Sequence, residues 1–360
     1  MTRFAAGLGA LVLCAVAGCA GTAPGSSVAS SVGGSATASP QSSPASVSMA
    51  PSSSPDPVQP KAGEPWLAYT ARAANGNFGV NLVRLDGSGV HAPTDGIPGQ
   101  FQEHPDWSPD GNRLVLSETA ADGTKDLWVA DIDGSHATQI VDCQMPCVWA
   151  DEASWSPDGN SIVFHRMVAT SGRRVSTLEL FNVANRTTRI LLTAKNGRAF
   201  YAPRWSPDGQ SLVAEDAQNG ATLDDPPSAN AIAVIDLSAT PPTLREITAP
   251  GRLANNPDWS SHGDLIVFCL PSVSAGFDGP ADLYVVAPGG GPMRRLTSLA
   301  EGGRRAIQPT FTPDGSAVLF VLDGPPATDR GLASVPVTGG DPRPAVGSSY
   351  IGGVHPRLRP

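Results

Sequence analysis

Three arginines stand at one recurring position of the sequence. Arg198, Arg252 and Arg304 each follow a glycine and each precede an aromatic residue by seven positions: Trp205, Trp259 and Phe311. Guanidinium groups in such an arc suit a carboxylate, a phosphate or an acidic peptide, because the planar fork makes paired, charge-assisted hydrogen bonds. The plainer reading is solvated loop arginines paired with Asp224 and Asp225. The equivalent positions elsewhere hold Gln100, Val148 and Ile351, so the arc would be one-sided. A second set lies three to four residues before each recurring aromatic: Glu103-His104, Asp151-Glu152, Tyr201-Ala202, Asn255-Asn256, Ile307-Gln308 and Val354-His355. From it, Glu103, His104, Glu152, Tyr201, Asn256, Gln308 and His355 are candidates to contact a peptide or sugar. The same mixed polar residues could instead merely hydrate an internal channel.

The thiols suggest oxidation. Cys143 and Cys147 enclose a short loop, Cys-Gln-Met-Pro-Cys, and a disulfide is expected there, contributing about 2 kcal/mol. Two thiols alone do not complete a tetrahedral metal site. Cys269 sits in the apolar run Leu265-Ile266-Val267-Phe268 and reads as a buried small hydrophobe. There is no His-Glu-x-x-His pair and no Gly-x-Ser-x-Gly elbow. The histidines, His91, His104, His136, His165, His262 and His355, do not cluster in sequence. Neither a metal nor a cofactor is expected. A net charge of −9 argues against a nucleic-acid partner.

The elements that carry these residues come from an internal repeat. The strings Trp107-Ser108-Pro109-Asp110-Gly111, Trp155-Ser156-Pro157-Asp158-Gly159, Trp205-Ser206-Pro207-Asp208-Gly209, Trp259-Ser260-Ser261-His262-Gly263 and Phe311-Thr312-Pro313-Asp314-Gly315 recur at steps of 48, 50, 54 and 52 residues. In each, an aromatic strand ends in a turn whose proline pre-sets φ and whose glycine takes the left-handed position. Apolar runs such as Ser161-Ile162-Val163-Phe164 and Asp126-Leu127-Trp128-Val129-Ala130 predict further strands. Four short strands in about 50 residues make one propeller blade. The strings resemble the PD40 repeats of TolB-type propellers, and the resemblance covers residues 64–360.

Blade number follows from the two ends. Trp66–Thr70 and Val80–Gly87 match second and third strands with no first strand before them. His355-Pro356-Arg357-Leu358 aligns with His104-Pro105-Asp106-Trp107. The expectation is an all-β, six-bladed β-propeller whose C-terminal strand completes the first blade. The resemblance places ligand contact at the mouth of the axial channel.

The N-terminus reads as an export signal. Phe4–Val16 is uncharged and apolar, too short to span a bilayer, which takes about 20 residues. Val16-Ala17-Gly18-Cys19 resembles the lipobox of bacterial lipoproteins, which implies cleavage before Cys19 and lipidation of its thiol. Residues 1–18 are then signal peptide. Residues 19–63, rich in Ser, Ala and Pro, form a disordered tether reaching on the order of 35–40 Å.

These readings combine into one expectation. The chain is a monomeric, lipid-anchored protein on the extracytoplasmic face of the cell membrane. It touches the membrane through its anchor alone and binds an envelope protein, peptide or glycan through the channel face. The alternative is a lyase or hydrolase with its site in the axial pocket.

Overall fold

The computed structural model describes residues 64–73, 76–170, 173–219, 227–272, 276–326, 330–347 and 351–360. Cys19, the signal and tether segments, Asp224 and Asp225 lie outside them. The described residues belong to one compact unit, Pro57–Pro360, built almost wholly of strands with two short 3-10 turns.

Each repeat opens on a strand that ends in the recurring aromatic: Phe101–Trp107, Cys147–Trp155, Arg198–Trp205, Asn255–Trp259 and Arg305–Phe311. The turn that follows is held by its own side chains. The Ser108 hydroxyl donates to Asp110 Oδ1 at 2.5 Å, and the Gly111 N–H donates to the Ser108 carbonyl at 2.8 Å. Gly111 takes φ +66°, which residues with a Cβ rarely adopt. Ser156, Ser206 and Thr312 repeat the contact with Asp158, Asp208 and Asp314. These aspartates are spent on the turn. Where the string departs, at Ser261-His262, Ser260 donates instead to Asp264 at 2.8 Å.

The second strands are apolar and buried because both faces are covered; Ile266–Pro271 is buried along its whole length. Third strands pair antiparallel with second strands, as Ala229–Asp236 does with Ser211–Gln218. The expected fourth strand is uneven, running Ala137–Val141, Thr187–Thr193 and Thr243–Glu246 in three repeats and dwindling in the other three. It spans two residues at Arg294–Arg295 and Arg343–Pro344, and in the first repeat it shrinks to a bridge between Leu82 and His91. The cause lies in the sequence: Pro288-Gly289-Gly290-Gly291-Pro292 and Gly339-Gly340-Asp341-Pro342 supply breakers where ladder donors are needed.

The core lies between successive sheets. One cluster joins Val267 and Leu283 of one repeat to Phe311, Phe320 and Ala333 of the next. Another joins Val115 and Leu127 to Trp155 and Phe164. The last strand, Val354–Leu358, pairs antiparallel with the first, Trp66–Arg72. Beyond it the Arg359 N–H donates to the Trp66 carbonyl at 2.8 Å, and Arg359 Nε donates to the Gly111 carbonyl at 2.8 Å. The strand-opening elements touch in order, from Phe101–Trp107 through Cys147–Trp155, Arg198–Trp205, Asn255–Trp259 and Arg305–Phe311 to Val354–Leu358, which touches Phe101–Trp107 again.

Candidate functional site

Six residues that are not glycine adopt a left-handed backbone at one position of these strands. They are His104 (φ 53°), Glu152 (55°), Ala202 (47°), Asn256 (51°), Gln308 (54°) and His355 (52°). In the first five strands the register with the second strand shifts at this point, for example between Glu103 and Asp106 and between Tyr201 and Arg204. Each is a β-bulge, and a proline follows all but Glu152. Proline has no N–H to give the ladder, so a bulge tolerates it.

A bulge strands a backbone N–H, and a buried donor needs a partner. Carboxylate and amide oxygens supply them. Glu152 Oε2 accepts from the Ala202 N–H at 2.7 Å, Glu215 Oε1 from Asn256 at 2.7 Å, Gln308 Oε1 from His355 at 2.9 Å and Asp151 Oδ1 from Glu152 at 2.7 Å. Several of these polar residues are therefore bound to the architecture of the bulges.

The remaining groups meet in one cluster. Lys125 Nζ donates to Glu103 Oε1 at 2.5 Å and to Asp151 Oδ2 at 2.6 Å. Asp151 Oδ1 also lies 2.8 Å from His104 Nδ1. The His104 and His355 rings stand 4.0 Å apart, centroid to centroid. Neither ring nitrogen of His355 has a partner among the described residues. On the other side of Glu152, buried His165 places Nδ1 3.7 Å from Glu152 Oε2 and meets the Tyr201 ring edge-on at 4.8 Å. The Tyr201 hydroxyl donates to Asn219 Oδ1 at 2.9 Å.

Burial and charge pull these groups in different directions. Burial works against the Lys125 ammonium, but Asp151 and Glu103 outweigh it and raise the pKa. Burial works against the Asp151 carboxylate, but Lys125 and His104 hold it well below the usual range. For His104, too, burial is outweighed, by Asp151 and Glu103, and the pKa rises. His355 is pushed well down by burial and by the facing His104. Burial, with the Glu152 charge, lifts Glu215 to about 7.

A second level lies one residue before the end of four of these six strands. Asp106, Arg204, Asp258 and Arg357 sit there, two charges of each sign. Arg357 Nε lies 3.7 Å from Asp106 Oδ1, and both aspartates also accept backbone N–H groups, from Trp155 at 2.9 Å and from Phe311 at 3.0 Å. Burial raises Asp106 against the pull of Arg204 and Arg357, and it lowers Arg357 to about 10. The set is balanced within itself.

The structure brings Glu103, His104, Glu152 and Tyr201 together with His355. Asn256 and Gln308 hold the same level through their bulges. The arginines stand differently. Arg198 spends its guanidinium on Asp216 at 2.6 Å and Glu246 at 2.8 Å, and Arg252 is exposed on the 3-10 turn Pro250–Arg252. Lys125, His165 and Glu215, on second and third strands, were not among the sequence candidates; no repeating string marks those positions. Cys143 and Cys147 form a disulfide, and Cys269 is buried and free. Cavities of about 230 and 490 Å³ lie elsewhere, one beside Arg113 and Trp155 and one beside Trp205 and Asp208. Among the described residues, no helix is long and apolar enough to cross a membrane.

Residues 39–271 match the model of the TolB beta propeller domain family, PD40. The chain belongs to this family. Among solved structures it is similar to TolB from Acinetobacter baumannii, with TM-score 0.58 and 16% identity over 82% of this chain and 66% of that one. A putative TolB from Agrobacterium tumefaciens gives TM-score 0.55 and 18% identity over 82% of this chain and 98% of that one. An oligogalacturonate lyase in complex with manganese gives 0.51 and 18% over 75% and 70%. These likenesses establish the fold, and they include a named enzyme. No curated protein matches the chain.

Proposed function

We propose that this protein is a lipid-anchored extracytoplasmic binding protein that engages an envelope protein, peptide or glycan at the mouth of a six-bladed propeller. The observation that carries the reading is convergence. Glu103, His104, Glu152, Tyr201 and His355 come from four separate strands and meet at one level of left-handed residues. Strained non-glycine backbone gathers where a fold positions function. The six left-handed positions and the pairing of Val354–Leu358 with Trp66–Arg72 support six blades and closure by the last strand. The anchor rests on Cys19 and the preceding apolar run; Cys19→Ser should move the protein out of the membrane fraction.

Proximity labelling in intact cells tests the binding face. Glu103→Gln combined with Tyr201→Ala should lose the partners that wild type labels. An Arg198, Arg252, Arg304→Ala triple variant with unchanged partners would discard the arginine arc.

A second reading, an enzyme with its site in the axial pocket, is favoured by one observation. Lys125, Glu103, Asp151 and His104 form a buried, charged network of acid and base groups, and such networks are common at catalytic sites. Incubation with oligogalacturonate tests it. An ultraviolet-absorbing unsaturated sugar released by wild type and not by Lys125→Met would support it, and no product would remove this substrate class.

A further inference from the structure

We infer that Glu103, His104 and His355 form a binding site for one divalent first-row transition-metal ion. The inference does not depend on the binding-protein reading. One oxygen of Glu103 and one nitrogen of each histidine lie within 4.8 Å of one another. Small rotations about the side-chain bonds bring such atoms to the distance of roughly 2.0–2.2 Å that a bound ion requires.

The two imidazoles are prepared differently for this task. His104 Nδ1 is turned to Asp151 Oδ1 at 2.8 Å, so Nε2 is the ring nitrogen left for an ion. A carboxylate behind a histidine is the usual support of a metal ligand, fixing ring orientation and raising basicity. His355 is 8% exposed, and both of its nitrogens lack partners among the described residues. A buried polar group left unpaired is costly, and an ion bonded to one nitrogen removes that cost. Both rings are also held by the backbone. Each sits at a left-handed bulge and is followed by proline, so neither strand can shift easily.

Charge favours the same occupant. Glu103 and Asp151 share the single Lys125 ammonium, so two carboxylates stand against one fixed cation beside the paired rings. Two nitrogens and one carboxylate oxygen match zinc, manganese, iron, cobalt or nickel. Calcium and magnesium prefer sites made wholly of oxygen. Three protein ligands leave coordination positions for water or for an oxygen of a ligand. Lys125 is the competitor, since it already holds Glu103.

The test uses the purified folded chain, stripped with chelator and titrated with Co²⁺ and Zn²⁺ at fixed pH. Calorimetry should give one ion per chain, and Co²⁺ should develop visible d–d bands with histidine coordination. His104→Ala, His355→Ala and Glu103→Gln should each weaken binding by about 10–100-fold. His136→Ala, at an exposed histidine paired with Asp131, should not change it. Circular dichroism confirms that each variant is folded. Should His355→Ala fail to fold, the Co²⁺ spectrum of wild type decides. Absence of those bands, or affinity unchanged in folded His104→Ala, overturns the site.

Discussion

His104 and His355 come from opposite ends of the folded domain, yet their rings meet at 4.0 Å with a tilt of 53°. The pairing of Val354–Leu358 with Trp66–Arg72, and the Trp107 Nε1–H that donates to the Arg357 carbonyl at 3.0 Å, bring them there. The site is thus assembled by the same contact that ties the end of the domain to its beginning.

Deleting Val354–Pro360 should therefore cost both stability and the site. The deletion uncovers Trp66–Arg72 along one edge and removes the Arg359 bonds to Trp66 and Gly111. The midpoint of thermal unfolding should fall by on the order of 10 °C. Calorimetry checks this; a truncated chain that melts like the intact one would refute closure by the last strand.

Gly331 offers a single-residue probe of the neighbouring connection. It has φ +134°, and a Cβ there would collide with the Ile351 carbonyl oxygen. The Leu332 N–H donates to that same oxygen at 2.9 Å. Gly331→Ala should lose about 2–4 kcal/mol, combining backbone strain with a displaced hydrogen bond. Urea unfolding of the two proteins measures it.

Glu215 predicts a pH dependence. Its folded pKa, about 7, stands above the ordinary carboxylate value of 4.5. Below that ordinary value the group is protonated in both states and costs nothing. As pH rises from 4.5 through 7, the unfolded chain releases its proton more readily, and folding loses up to about 3 kcal/mol. Glu118, also lifted to about 7, adds to the same window. Glu215→Gln should flatten the slope by its own share. Denaturant midpoints at pH 5 and pH 8 check this; an unchanged slope would show that Glu215 does not carry it.

The Cys143–Cys147 bridge closes a short loop beside Asp126, which accepts the Cys143 N–H at 2.7 Å. Replacing both cysteines with serine should cost about 2 kcal/mol and lower the midpoint by a few degrees. Thermal melts with and without reductant should show the wild type alone responding.

Much of this was legible in sequence, for identifiable reasons. The Trp-Ser-Pro-Asp-Gly strings mark strand ends because their turn needs those residues, so the positions of the first strands could be read directly. Glu103, His104 and His355 followed by counting back from the aromatic. The left-handed backbone did not, since no glycine announces it; its trace was the proline that follows His104, Ala202, Asn256, Gln308 and His355. Lys125 stands just before the strand read at Asp126–Ala130, and only tertiary packing turns its ammonium toward Glu103 and Asp151. Arg198 misled for the opposite reason. Its repeat position was visible, but its partners Asp216 and Glu246 lie on strands the count did not reach.

The stunted outer strands have a consequence for crowding. A long, flat sheet margin templates the addition of strands from other molecules. In two repeats that margin is only two residues, at Arg294–Arg295 and at Arg343–Pro344, with guanidinium groups and a proline where a neighbour would have to dock. Copies held at high local density meet no templating margin at those two repeats, and the longest outer strand left to them is Thr187–Thr193 in another repeat.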